Sequence, residues 1–113
     1  MLADYDDAMV LHWLGAGGDP RWDESHLLPA VRVGERLAIY RTVPAAVRDA
    51  VIRPGDYVAV SHAYALYHAE VNLGGWLGHP TVLLEGAAYP DELEPVCERE
   101  FFYRPRGAGR VRP

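Results

Sequence analysis

Arg41, Ser61, Glu98 and Glu100 are the residues whose types and spacing suggest chemistry. Arg41 stands late in an alternating run, Arg36–Val43 (RLAIYRTV). Ser61 follows the apolar Tyr57–Val60 and opens the segment Ser61–Glu70 (SHAYALYHAE). Glu98 and Glu100 stand two apart in Glu98–Tyr103 (EREFFY). In a strand, residues two apart share a face, so both carboxylates are expected on one side. An arginine, a serine and a pair of acids, each at a strand, make sense together if their side chains converge in one cleft.

The elements that would position them follow from local signals. Residues 4–14 place Ala8, Leu11 and Trp13-Leu14 at helical spacing after an Asp-rich start, and Gly15 would end that helix. Residues 15–30 are broken up by Gly and Pro and read as a loop. Residues 36–43 form the first expected strand, with Leu37, Ile39 and Arg41 on one face and Ala38 and Tyr40 on the other. Pro44 is expected to begin a short helix over 44–52, since proline is tolerated in a first turn. Pro54-Gly55-Asp56 reads as a turn, 57–60 as a short buried strand and 61–70 as a helix with Tyr64 and His68 four apart on one face. A Gly-rich loop around Trp76 spans 72–80, a strand 81–86, a turn or short helix 89–94 and a last strand 98–103. The expectation is one α+β domain over 1–113: an N-terminal helix and loop (1–30), a core (36–105) built on short mixed strands with flanking helices, and a mobile tail (106–113).

The ordered set YR … VAVS-x-x-YA-x-x-H … E-x-E resembles the Arg–Ser–Glu class of mono-ADP-ribosyltransferases. The phrasing YRTVP … IRPGDYVAVSHAYALYHAE … YPDELEP … EREFFYRP is similar to ADP-ribosyltransferase-like domains of phage and bacterial proteins, over about residues 36–105. The resemblance implies a small fold with strands around an NAD cleft, NAD as co-substrate and a macromolecular acceptor, a protein before a nucleic acid. It implies that Arg41 pairs with the NAD pyrophosphate through its forked donors. Glu100 would stabilise the oxocarbenium-like ribose as nicotinamide leaves. By the same resemblance Ser61 orients Glu100, and Glu98 accepts the proton of the incoming nucleophile or positions it. Tyr64 or Trp76 would offer the cationic nicotinamide an aromatic face. The family's Ser-Thr-Ser motif survives only as Val60-Ser61-His62, and the stretch ahead of E-x-E (Ala87–Cys97) is a short loop for choosing the acceptor.

Other readings of the same residues stay open. Ser61 is a good helix N-cap whatever the function. Arg41 could face solvent or pair with Glu98 or Glu100, and the two Glu could guard an edge strand against pairing with another chain. The chain could equally be an inactive interaction module on this scaffold, or a hydrolase or lyase acting on another ribose- or phosphate-bearing molecule.

Composition narrows the field. With 113 residues, 50 % hydrophobic and 24 % charged, the chain has the balance of a globular domain. All basic residues are Arg, and the formal charge of −5 argues against general nucleic-acid or anionic-membrane binding. No apolar run suits a membrane span, and the acidic N-terminus does not resemble a signal peptide. One cysteine suits a reducing compartment, so a cytoplasmic or injected protein is expected. His12, His26, His62, His68 and His79 show no metal-ligand spacing, since His62 and His68 are six apart on their expected helix. His68, a turn after Tyr64, reads as a packed or hydrogen-bonded histidine before a general base, though it could face the cleft. Cys97 has no neighbour in sequence that would activate it. Neither Gly74-Gly75 nor Gly15–Gly18 links a strand to a helix as a phosphate loop would.

Overall fold

A computed structural model describes residues 1–106, so the expected tail lies outside the described residues except for Arg106. The described chain is α+β, with helices packed against two antiparallel sheets.

Helix α1 (Asp7–Trp13) begins where the Asp cluster allows it: the Asp6 carboxylate accepts from the Met9 amide at 2.9 Å. The stretch expected to be loop contains a short helix, α2 (Leu28–Val33). Pro29 fits its first turn, Val31 is buried, and Gly34 closes it with a left-handed φ of 76°.

Strand β1 (Leu37–Pro44) pairs antiparallel with β3 (Thr81–Ala88), from Leu37 opposite Ala88 to Pro44 opposite Thr81. The helix expected over 44–52 does not form. Pro44 is the last residue of β1, and the following residues turn, with Asp49 at a φ of 52°. Val47 and Val51 remain exposed there and only Ile52 packs against the core, so little burial is available to hold a short helix, which is marginal in water without it.

The second sheet has the order β2 (Tyr57–Val58), β5 (Glu100–Tyr103), β4 (Leu93–Cys97). Every pairing among the described residues is antiparallel, rather than mixed as expected. The stretch read as an acceptor-choosing loop, Ala87–Cys97, is instead the end of β3, a 3₁₀ turn at Pro90–Glu92 and strand β4, which pairs with β5. Strand β5 starts at Glu100, two residues later than expected, because Glu98 and Arg99 make the hairpin turn and Arg99 takes a φ of 69°. The sheets join where Tyr40 and Ala59 exchange backbone hydrogen bonds of 2.8 and 2.9 Å. Helix α3 (His62–Asn72) follows directly and packs on β1, where the buried Thr42 hydroxyl donates to the Ala65 carbonyl at 3.3 Å.

The core draws on both ends of the chain. Leu2, Val10 and Leu14 from the N-terminal segment are fully buried with Ile39, Leu93 and Phe101. Fully burying one such side chain stabilises the fold by about 1.5–3 kcal/mol. The first 14 residues are therefore part of the body of the domain and not an appendage to it.

Candidate functional site

The end of β1, strand β2, helix α3 and the β4–β5 hairpin enclose a half-open cleft of about 460 Å³. Its walls are Tyr40, Arg41, Thr42, Tyr57, Val58, Ala59, Tyr64, Ala65, His68, Val96 and Glu100. Ligand clefts commonly span roughly 300–1,000 Å³ and combine apolar walls with a few convergent polar groups.

Three of the six residues singled out from sequence meet here: Arg41, Tyr64 and Glu100. Arg41 comes from β1. Its Nη1 donates to the Tyr57 carbonyl at 2.9 Å, and its Nε lies 3.7 Å from an Asp56 carboxylate oxygen. These contacts steady the guanidinium along the β2 side of the cleft. Glu100, the first residue of β5, accepts from the Cys97 thiol at 2.9 Å. Burial, and then the Glu100 carboxylate, push the Cys97 thiol up to about 11. At neutral pH Cys97 is therefore a protonated donor to Glu100 and a poor nucleophile. Tyr64 lines the same cleft from α3, and its hydroxyl is pushed up by burial first and by the Glu100 charge second.

Ser61 is adjacent but does a different job. It is 1 % exposed, and its Oγ accepts from the Tyr64 amide at 3.0 Å, capping α3. Glu24 lies near that hydroxyl; burial raises the Glu24 carboxyl, against the lowering effects of His26 and Ser61. Ser61 thus sets where α3 begins and where Tyr64 sits. Its capping bond goes to Tyr64, while Glu100 takes its hydrogen bond from Cys97.

Glu98 and Trp76 do not line the cleft. The two glutamates were expected on one strand face, yet Glu98 belongs to the hairpin turn and points to the N-terminal layer. There its carboxylate lies 3.4 Å from His12 Nδ1 and 3.2 Å from Arg99 Nη1. Trp76 sits in a 3₁₀ turn after α3 and is 69 % exposed.

Arg99 carried no signal in the sequence. Its guanidinium packs against the rings of Trp22 and Tyr64, and its amide donates to the Trp13 carbonyl at 3.1 Å. Arg99 is the second residue of the tight β4–β5 turn and takes a positive φ there, a position the sequence does not mark with the usual Gly or Asn. Tyr40 and Tyr57 were also overlooked as wall residues. His68, one helical turn from Tyr64, was expected to be a packed histidine able to face the cleft, and it lines the cleft.

No group of three His, Cys, Asp or Glu side chains is arranged to hold a metal ion among the described residues. No helix there is long and apolar enough to cross a membrane. Comparison with protein-family models, with curated proteins and with solved structures finds no match to this chain. The likeness to ADP-ribosyltransferases rests on the residues already quoted.

Proposed function

We propose that this chain is a minimal NAD-dependent mono-ADP-ribosyltransferase with an ADP-ribosyltransferase-like fold, acting in a cytoplasm on a macromolecular acceptor, a protein first. One observation carries the reading: Arg41, Tyr64 and Glu100, far apart in sequence, face a single cleft of about 460 Å³. Arg41 suits a pyrophosphate, because a guanidinium offers paired donors to anionic oxygens. Tyr64 suits a flat cationic ring. Glu100 suits the positive charge that builds on the ribose as the glycosidic bond breaks and the bonding pair leaves with nicotinamide. The Cys97 donor orients that carboxylate and leaves its other oxygen available.

A second reading has its own support. With Glu98 turned to His12, the cleft holds one carboxylate, and Arg41 already has a carbonyl partner. An inactive module that binds a nucleotide or a protein would need no second acid. The same cleft could also serve a hydrolase or lyase for another ribose- or phosphate-bearing molecule.

The test measures NAD consumption and released nicotinamide, wild type beside Glu100→Gln, with and without cell lysate. Turnover lost by orders of magnitude in a folded Glu100→Gln supports the transferase, and lysate dependence points to the acceptor. An unchanged rate in that variant overturns it. No turnover from folded wild type favours the inactive module, and a different metabolite that raises the melting temperature favours the hydrolase or lyase.

A further inference from the structure

We propose that His68 is a second nitrogen donor of the cleft, presenting its Nε2–H to a phosphate oxygen of the bound nucleotide. This rests on the nucleotide reading above and adds a residue that it does not use. Tyr64, Ala65 and His68 are the cleft-lining residues of α3, and they share one helical face. The partly buried imidazole is held from behind: the Asn72 side-chain amide nitrogen lies 3.0 Å from His68 Nδ1.

An amide nitrogen only donates, so Nδ1 is the acceptor and the proton of the neutral ring belongs on Nε2. Asn72, one turn further along α3, thereby selects the tautomer that a ligand acceptor needs.

The chemistry of the ligand follows from the wall. Among the described residues, Arg41 and His68 are its only side-chain nitrogen donors and Glu100 its only carboxylate. The Thr42 hydroxyl is already committed to the Ala65 carbonyl. A ring stacked on Tyr64 would carry its attached groups about 5–6 Å along the helix, to His68. Two nitrogen donors across from one carboxylate match a ligand that is anionic at its phosphates and cationic at its ring or reacting sugar.

The test is calorimetric binding of NAD, ADP and nicotinamide to wild type, His68→Ala and His68→Gln. The Gln amide can put an N–H near the place of Nε2. A hydrogen bond to a charged oxygen predicts that His68→Ala weakens NAD and ADP binding about tenfold or more, that His68→Gln recovers much of it, and that nicotinamide is unaffected. In the unsubstituted protein, ADP should shift the nitrogen resonance of His68 Nε2, a readout that needs no variant to fold.

Equal ADP affinity in wild type and His68→Ala, or an Nε2 resonance indifferent to bound ADP, overturns the role of His68 while the nucleotide reading stands. A loss confined to nicotinamide overturns the phosphate assignment. Failure of folded wild type to bind NAD or ADP overturns the nucleotide reading itself, and His68 with it.

Discussion

The Arg99 guanidinium lies 5.3 Å from the centre of the Tyr64 ring, while its other neighbour, Trp22, is 5.0 Å away. An arginine at a hairpin tip thus links the N-terminal layer to the cleft wall. Packing on Gly15 and Gly18 seats it: a Cβ on Gly18 would lie 3.0 Å from Arg99 Nη1. Because Arg99 precedes Glu100, the same turn that seats the guanidinium also starts β5 with its carboxylate at the cleft.

Arg99→Ala should therefore destabilise the fold by about 1–2 kcal/mol, through lost cation–π contact and packing in a partly buried site. Urea unfolding measures this, and Arg99→Lys should recover only part of it, because an ammonium cannot stack as a planar guanidinium does. A stability unchanged in both variants would mean that the link is incidental.

Gly15→Ala should be worse tolerated than Gly18→Ala. Gly15 has a φ of 95°, and an added Cβ would lie 2.8 Å from the Trp22 carbonyl oxygen, a backbone atom that cannot step aside cheaply. At Gly18 the nearest atom is the end of a flexible side chain. Thermal unfolding of the two variants side by side tests the order.

Ser61→Ala should cost about 1 kcal/mol through the lost cap of α3. Ser61→Asp should not restore it, because position 61 is buried and a carboxylate there would sit beside Glu24. Thermal unfolding of both variants checks this, and wild-type stability in Ser61→Asp would overturn it.

The Cys97 thiol has a sign that can be checked. Its folded value is raised from an ordinary 9.0 to about 11. Between those values the unfolded chain loses the proton first, so this group's contribution is present below pH ~9 and is lost as pH rises toward ~11. Cys97→Ser should flatten that part of the stability profile. Alkylation of Cys97 at pH 8 should be slow, and faster in Glu100→Gln, where the neighbouring charge is gone.

Glu98→Gln should leave NAD binding unchanged while Glu100→Gln alters it, because only Glu100 lines the cleft. Calorimetry on both variants decides this. Equal loss in the two would mean that the hairpin turn rearranges when ligand enters.

Some of these features were legible before any tertiary contact was known. Asp6 at the head of α1, Ser61 at the head of α3 and the alternation of Leu37 and Ile39 are short-range signals, read from caps and periodicity. The positions of Arg41 and Tyr64 on β1 and α3 followed from them. Strand β4 did not, since Pro95 and Glu94 make it a poor strand by propensity, and it exists because Leu93 is buried and β5 offers a partner. The missing helix after Pro44 is the reverse case: its local signal was sound, but only Ile52 of its apolar residues packs against the core, while Val47 and Val51 stay exposed.

By itself the sequence determined an α+β chain, two of its helix starts, four of the five strands among the described residues (β1, β2, β3 and β5) to within two residues, and a short set of polar and aromatic residues, three of which line one cleft. Caps and alternation act over a few residues, so a single segment carries them. Only the tertiary structure decided that Glu100 faces the cleft and Glu98 does not, that Cys97 holds Glu100, and that the N-terminal segment shares the core. The first two follow from the turn at Glu98-Arg99, whose guanidinium packs on Trp22 and Tyr64, and the third from burial of Leu2, Val10 and Leu14 in the common core; such contacts join distant segments, so no local run of residues encodes them.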